Sequence, residues 1–327
     1  MSSDNLPVVI ITHTLPEDWI SPLKVKCRFF IGPPDATELD QGLTERLPQA
    51  EGLFTLLTIP VTKTMLDNTP KLRVVSNMAV GVDNIDINAC TQKKIPVGNT
   101  PGVLTESTAD LSMALLLSVA RNITQAQIDA KEGRWKTWSP AGWLGTELNG
   151  SILGIIGMGK IGKAVAKRAM AFGMNIIYTD PNSINYPNAR QVTLHELLNK
   201  SDFISLHAPL TEDTCGIINK EAFSMMKPNA IFVNAARGPL VDTASLVDAL
   251  INHRIGAAAL DVTDPEPLPP NHPLFSLSNC VIVPHIGSAT EHTRHLMAKL
   301  ACENLLAGLA GERLPHCVNP EVYNDNL

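Results

Sequence analysis

Twelve residues in the middle of the chain, Ser151-Ile-Leu-Gly-Ile-Ile-Gly157-Met-Gly159-Lys-Ile-Gly162, constrain the fold more than any others. An apolar run of strand length ends in Gly-x-Gly-x-x-Gly, and an Ala-, Lys- and Arg-rich stretch of helical length follows from Lys160 to Phe172. This order predicts strand, tight turn and helix. Gly157 permits the turn, Gly159 removes the side chain that would block an approaching phosphate, and Gly162 lets the helix pack closely on the strand. The unpaired amides at the helix start, those of Lys160 and Ile161 among them, act with the helix dipole to attract anions. Eighteen residues past Gly162, after Asn175-Ile-Ile-Tyr-Thr, stands Asp180. Its carboxylate can accept hydrogen bonds from both ribose hydroxyls of an adenosine and would repel a 2′-phosphate. The spacing predicts a dinucleotide site in which Asp180 favours NAD(H), while Asn182 and Arg190 nearby leave NADP(H) open.

The rest of the chain repeats the same alternation. Apolar runs rich in Val and Ile recur near residues 8–12, 25–30, 52–57, 72–76 and 95–98, and again near 152–156, 174–179, 202–207, 230–235, 257–262 and 280–283. Stretches of helical length such as Thr243 to Asn252 separate them, which predicts an α/β fold with two parallel sheets. Between the series, Thr105 to Arg121 opens with Thr105, Ser107 and Thr108 as N-cap candidates and is then apolar on nearly all sides, predicting a buried helix that joins two domains. Thr290 to Leu309 predicts a last helix returning to the first domain, before a polar, Pro-containing tail from Pro315 to Leu327.

At 327 residues the chain exceeds the size of one core. Hydrophobic residues at 44% and charged residues at 18% are ordinary for a folded enzyme. The net charge of −6 offers no electrostatic basis for binding nucleic acid or an anionic membrane. Six scattered cysteines, Cys27, Cys90, Cys215, Cys280, Cys302 and Cys317, form no Cys-x-x-Cys pair and no metal-like spacing, so free thiols in a reducing cytoplasm and no metal site are expected. The N-terminus carries no basic region before its apolar run, and Leu111 to Ala120 is too short to span a bilayer.

Three later segments place polar groups at predicted strand ends: Asn234-Ala-Ala-Arg237, Asp261-Val-Thr-Asp-Pro-Glu266 and Pro284-His285. In an open parallel sheet the carboxyl ends of strands form one crevice, so an arginine, a carboxylate and a histidine converge there. Each alone has a structural alternative, as a surface ion-pair partner, a loop acid or a hydrogen-bonded core histidine. Together they suit reduction of a carbonyl acid. Arg237 can bind the substrate carboxylate or carbonyl, and His285 can protonate the oxygen, with a paired Glu266 favouring its protonated form. His207 also ends a strand and reads as structural, with Ala208 and Pro209 near the adenine.

With these segments, Val80-Gly-Val-Asp-Asn-Ile-Asp86, Asn99-Thr-Pro-Gly and Pro284 to Thr290, the chain resembles the D-isomer-specific 2-hydroxyacid dehydrogenase family over nearly its whole length, and within it the glyoxylate/hydroxypyruvate reductases. The resemblance implies two Rossmann-like, doubly wound domains with a cleft between them. Residues 1–103 and 288–327 would form a flavodoxin-like substrate domain, and 104–287 the NAD domain. It implies Arg237, Glu266 and His285 as the catalytic trio, Asp261 near the nicotinamide amide, and Thr108, Pro209, Thr214, Ala235 and Gly287 as further cofactor contacts. The amides of Val80 and Gly81 would hold the substrate carboxylate as an anion nest, and Leu57 would border its small group. Gly133 to Pro140 resembles an arm that reaches a neighbouring subunit, with Trp138 as a lid, so a homodimer through residues 122–150 is expected. The implied reaction reduces glyoxylate or hydroxypyruvate to glycolate or D-glycerate. Phosphoglycerate, formate and phosphite dehydrogenases share the scaffold as alternatives, as do NAD-sensing corepressors that act as binding proteins.

Overall fold

The computed structural model describes residues 6–324. The expectations about the first five residues and about the last three of the polar tail lie outside the described residues. The chain divides into two compact units, Met1–Leu104 with Thr290–Leu327, and Thr105–Ala289. The crossings fall one and two residues past the expected 103 and 287.

The first unit contains β1 (Val8–Ile11), β2 (Arg28–Ile31), β3 (Gly52–Thr55), β4 (Val74–Asn77) and β5 (Val97–Gly98). They form one parallel sheet in the order β2-β1-β3-β4-β5, the flavodoxin-like order, whose switch point lies between β1 and β3. Because side chains alternate along a strand, Val9 and Ile11 share a core with Phe54 and Val74, while Ile10 faces Leu53, Val75 and Val97 on the other side. The last helix, Glu291–Ala310, covers the first of these faces with Met297, Ala301 and Leu305, and Ser76 Oγ donates to the Ala301 carbonyl at 2.7 Å. Thr290 caps its start and Gly311, at φ 77°, ends it. Strand β2 begins three residues later than the predicted 25–30. The amides of Lys26 and Cys27 both close a turn on the Leu23 carbonyl, and Val25 is 79% exposed.

The second unit contains β6 (Ile152–Ile156), β7 (Asn175–Thr179), β8 (Ala189–Gln191), β9 (Phe203–Leu206), β10 (Ile231–Asn234), β11 (Ala257–Leu260) and β12 (Cys280–Ile282). Its parallel sheet runs β12-β11-β10-β9-β6-β7-β8. Counted from β6, this is the Rossmann order 3-2-1-4-5-6 with one further strand, and the reversal lies between β6 and β9. Helix Thr105–Ala120, which directly follows the first crossing, falls in this unit. Ala109, Met113, Leu116 and Ala120 are buried against Val165, Ala166 and Ala169 of helix Lys160–Ala171. Edge strand β8 has no apolar run and pairs through its backbone, so hydrophobic pattern did not reveal it. Among the described residues no helix is long and apolar enough to cross a membrane.

Candidate active site

The site grows from the reversal between β6 and β9. Gly157, just past β6, has φ 94°, and a Cβ there would lie 2.7 Å from the Ala208 amide nitrogen and the His207 carbonyl carbon. Only glycine suits that backbone and that approach. A Cβ on Gly162 would lie 2.1 Å from the Gly157 carbonyl oxygen, so the first turn of the helix packs directly on the glycine turn. Gly159 differs from both. It is the N-cap of helix Lys160–Ala171, supplies no side-chain cap, and a Cβ on it would meet nothing within 4 Å. Uncapped amides beside open space are what a pyrophosphate needs, so these residues fit a dinucleotide.

Asp180 follows β7 and its carboxylate organises this turn. Oδ2 accepts from the Met158 amide at 2.9 Å, and Oδ1 accepts from the Asn182 amide at 2.9 Å and from Asn182 Nδ2 at 3.2 Å. Carboxylate oxygens keep further lone pairs for a ribose hydroxyl. Arg190, which left NADP(H) open, donates to Glu196 Oε1 at 2.8 Å, and Arg190 with Lys200 holds that carboxyl down at about 2. On the β9 side, His207 Nε2 lies 2.7 Å from Ser205 Oγ while Nδ1 is buried without a partner. Burial pushes its imidazole down to about 4. It is therefore neutral and braces the backbone that confines Gly157. Thr214 Oγ1 donates to the Pro209 carbonyl at 2.7 Å and closes the next turn.

The carboxyl ends of β10, β11 and β12 carry the polar groups. Asn234 is buried; its Oδ1 accepts from the Ala236 amide at 3.0 Å and its Nδ2 donates to the Arg237 carbonyl at 2.9 Å. The bend fixes Ala235 and Arg237. Reading the sequence for chemistry passed over Asn234, although an asparagine directly after a buried strand is a turn signal. Asp261, 2% exposed, accepts from the amides of Ile286 at 2.6 Å and Gly287 at 2.9 Å. Burial pushes its carboxyl above the ordinary value, against those bonds. Thr108 Oγ1 donates to the Gly287 carbonyl at 3.3 Å, so Thr108, Asp261 and Gly287 form one cluster.

His285 sits at φ 51°, a backbone region that L-residues rarely occupy, with its amide donating to the Asp261 carbonyl at 2.9 Å. Its Nδ1 lies 2.6 Å from Glu266 Oε1, and Glu266 Oε2 accepts from the Thr263 amide at 3.2 Å. Burial alone would push the Glu266 carboxyl up. The hydrogen bond and charge of His285, the Thr263 amide and the Arg237 guanidinium outweigh it and hold that carboxyl below its ordinary value. Glu266 is thus ionised and Nδ1 carries the shared proton, which leaves Nε2 as the ring's other nitrogen, turned from Glu266. Arg237, Glu266 and His285 are brought together in this unit. Leu57, Val80 and Gly81 lie in the first unit, and Trp138 is 80% exposed in an irregular segment. Among the described residues, no group of three or more His, Cys, Asp or Glu is placed to hold a metal ion.

The family model described as D-isomer specific 2-hydroxyacid dehydrogenase, NAD binding domain, matches residues 113–287. A glyoxylate reductase of Thermococcus litoralis is 44% identical over 98% of this chain and 99% of its own. The crystal structure of a Thermus thermophilus protein superposes with a TM-score of 0.90 at 45% identity, covering 95% of this chain and 99% of that one. An NADPH-dependent glyoxylate/hydroxypyruvate reductase from Sinorhizobium meliloti, solved with NADP and malonate, gives a TM-score of 0.85 at 30% identity over 96% and 97% of the two chains. With its Gly-rich turn, its ordered strand-end residues and these full-length likenesses, the chain belongs to the D-isomer-specific 2-hydroxyacid dehydrogenase family.

Proposed function

We propose that this protein uses a reduced nicotinamide dinucleotide to convert a small 2-oxoacid, glyoxylate or hydroxypyruvate, into glycolate or D-glycerate. The observation that carries the reading is the 2.6 Å pair between His285 and Glu266, near Arg237 in the unit that holds the open Gly157–Gly162 turn. When bound, the dinucleotide supplies the hydride that adds to C2 of the oxoacid. His285 Nε2 gives a proton to the carbonyl oxygen, and the ionised Glu266 stabilises the ring charge and fixes its tautomer. Arg237 binds the carboxylate and polarises the carbonyl through its planar donors. The amides of Val80 and Gly81 would hold a substrate carboxylate, and Leu57 would border its small group.

The amides of Lys160 and Ile161 in the Gly157–Gly162 turn would hold the pyrophosphate, and Asp180 the adenosine ribose. Asp261 would hold the nicotinamide amide, with Thr108, Pro209, Thr214, Ala235 and Gly287 lining the remainder. The negative charge of Asp180 and the engagement of Arg190 by Glu196 support NADH over NADPH. Steady-state kinetics over a panel of 2-oxoacids, with both cofactors, test the whole reading. The wild type is expected to turn over glyoxylate or hydroxypyruvate fastest and to prefer NADH, and Asp180→Ala to erase most of that preference. Absence of turnover across the panel would overturn the function. An unchanged cofactor preference in the variant would overturn the role of Asp180.

We further assign a homodimer to the 122–150 arm. Helix Ile123–Lys131 has no buried residue, and Ile123, Ile128, Trp135, Trp138 and Leu144 leave apolar surface exposed. Asp129 fixes the arm by accepting from Trp143 Nε1 at 2.8 Å and from Arg134 Nε at 2.9 Å. Sedimentation equilibrium is expected to give a dimer for the wild type, and a monomer at micromolar concentration would refute the assignment.

A further inference from the structure

The first unit buries or half-buries a set of asparagines beneath its candidate anion-binding turn, and their side-chain amides follow a pattern. Asn77 ends β4; its Nδ2 donates to the Gly81 carbonyl at 2.9 Å and to Asn84 Oδ1 at 3.3 Å. Asn99 Nδ2 donates to the Val80 carbonyl at 2.8 Å, and the Thr100 amide donates to the Ala79 carbonyl at 2.9 Å. Three consecutive carbonyls are therefore tied to the protein. In a trans peptide the N–H points opposite to the C=O, so the amides of Val80, Gly81 and Val82 are turned the other way. None of the three has a backbone acceptor among the described residues.

Asn84 extends this network to the turn that carries Leu57. Its Nδ2 donates to the carbonyls of Leu56 at 3.0 Å and Ile59 at 3.1 Å, on either side of Leu57. The backbone of Asn84 is already spliced to the following segment, with the Val61 amide on its carbonyl at 2.8 Å and the Asp86 amide on the Val61 carbonyl at 2.9 Å. The side chain is thus a separate tie, directed at the turn. The turn's outer end is held by Thr58, whose Oγ1 donates to the Ala36 carbonyl at 2.7 Å and lies 2.9 Å from His13 Nε2.

We propose that Asn84, supported by Asn77, is a positioning residue that sets the distance between the Leu57 turn and the amides of residues 80–82, and thereby the size of 2-oxoacid accepted. The proposal rests on the assignment of Leu57, Val80 and Gly81 to the substrate made above. A rigid spacing of this kind excludes longer chains at C3, because the wall against them is held by hydrogen bonds at both ends.

The test compares glyoxylate with 2-oxobutyrate in the wild type, Asn84→Ala and Thr58→Val, measuring kcat, KM and the dissociation constant of NADH. In Asn84→Ala the KM for glyoxylate is expected to rise about tenfold, as the loss of the hydrogen bonds to Leu56, Ile59 and Asn77 implies. The preference for glyoxylate over 2-oxobutyrate in kcat/KM is expected to fall, while kcat changes less and NADH affinity holds. Thr58→Val, which removes the hydroxyl that binds the Ala36 carbonyl and faces His13 Nε2, is expected to shift the same preference by a smaller factor. An unchanged size preference in both variants overturns the proposal. So does a parallel loss of kcat, substrate affinity and NADH affinity, which would mark Asn84 as merely structural. If Asn84→Ala does not fold, Thr58→Val decides alone. A wild type inactive on every 2-oxoacid overturns the proposed function itself and this inference with it, and is recognised before any variant is compared.

Discussion

Replacing His285 with alanine is expected to lower kcat about 10²- to 10⁴-fold, the usual contribution of a positioned acid to proton transfer. The dissociation constant of NADH is expected to stay where it is, because the Gly157–Gly162 turn and Asp180 lie on other loops of the sheet. Glu266→Gln gives the second half of the argument. The variant can retain a hydrogen bond to the ring but loses the charge that the structure places 2.6 Å from Nδ1. It is expected to fall between the wild type and His285→Ala in kcat, since the charge on the ring loses its counter-charge. Single-turnover kinetics with equilibrium NADH titration separate chemistry from binding. A His285→Ala enzyme with unaltered turnover would remove this residue from the mechanism.

A comparably large effect is expected at Gly157, and its neighbour Gly159 supplies the control. At φ 94° an alanine must adopt a backbone that disfavours a Cβ, and that Cβ would stand 2.7 Å from the backbone of His207 and Ala208. The strain alone is worth about 1–2 kcal/mol, and displacement of a buried strand end adds to it, so Gly157→Ala is expected to lose at least about 2 kcal/mol of unfolding stability. NADH binding is expected to fail with it. Gly159→Ala meets no atom within 4 Å at φ −72°, so its stability is expected to match the wild type. Its methyl group occupies the open side of the turn, and NADH affinity is expected to drop. Urea denaturation and fluorescence titration read the two quantities separately. Equal stability for all three proteins would show that the turn tolerates a side chain, contrary to the geometry.

The contrast between these glycines shows how much of the site was legible before the fold was known. The motif identified all three positions and the strand and helix beside them, because tight turns and helix starts depend on neighbouring residues. It did not say that Asp180 would accept the Met158 amide and so brace the turn. Arg190 shows the same limit. From the sequence its nearness to Asp180 left NADP(H) open, whereas the fold carries it to Glu196 on the following helix. Strand β8 escaped because no run of apolar residues announces it, and the late start of β2 because the apolar run there opens inside a turn that Lys26 and Cys27 close on the Leu23 carbonyl.

Short stretches of chain were enough to specify the alternation of strand and helix, the Gly157–Gly162 turn, and the candidates Arg237, Glu266 and His285 at strand ends. Those properties follow from periodicity and from the backbone freedom of single residues, which neighbours along the chain encode. The assembled fold was needed to bring Glu266 to His285 across nineteen residues, to hold His285 at φ 51°, and to let Asn84 tie the Leu56–Ile59 turn to the residues beneath Gly81. Such contacts depend on the register of β11 with β12 and of β3 with β4. A hydrogen bond requires its partner within about 3 Å, and that distance is set by how strands align in a sheet rather than by spacing along the chain.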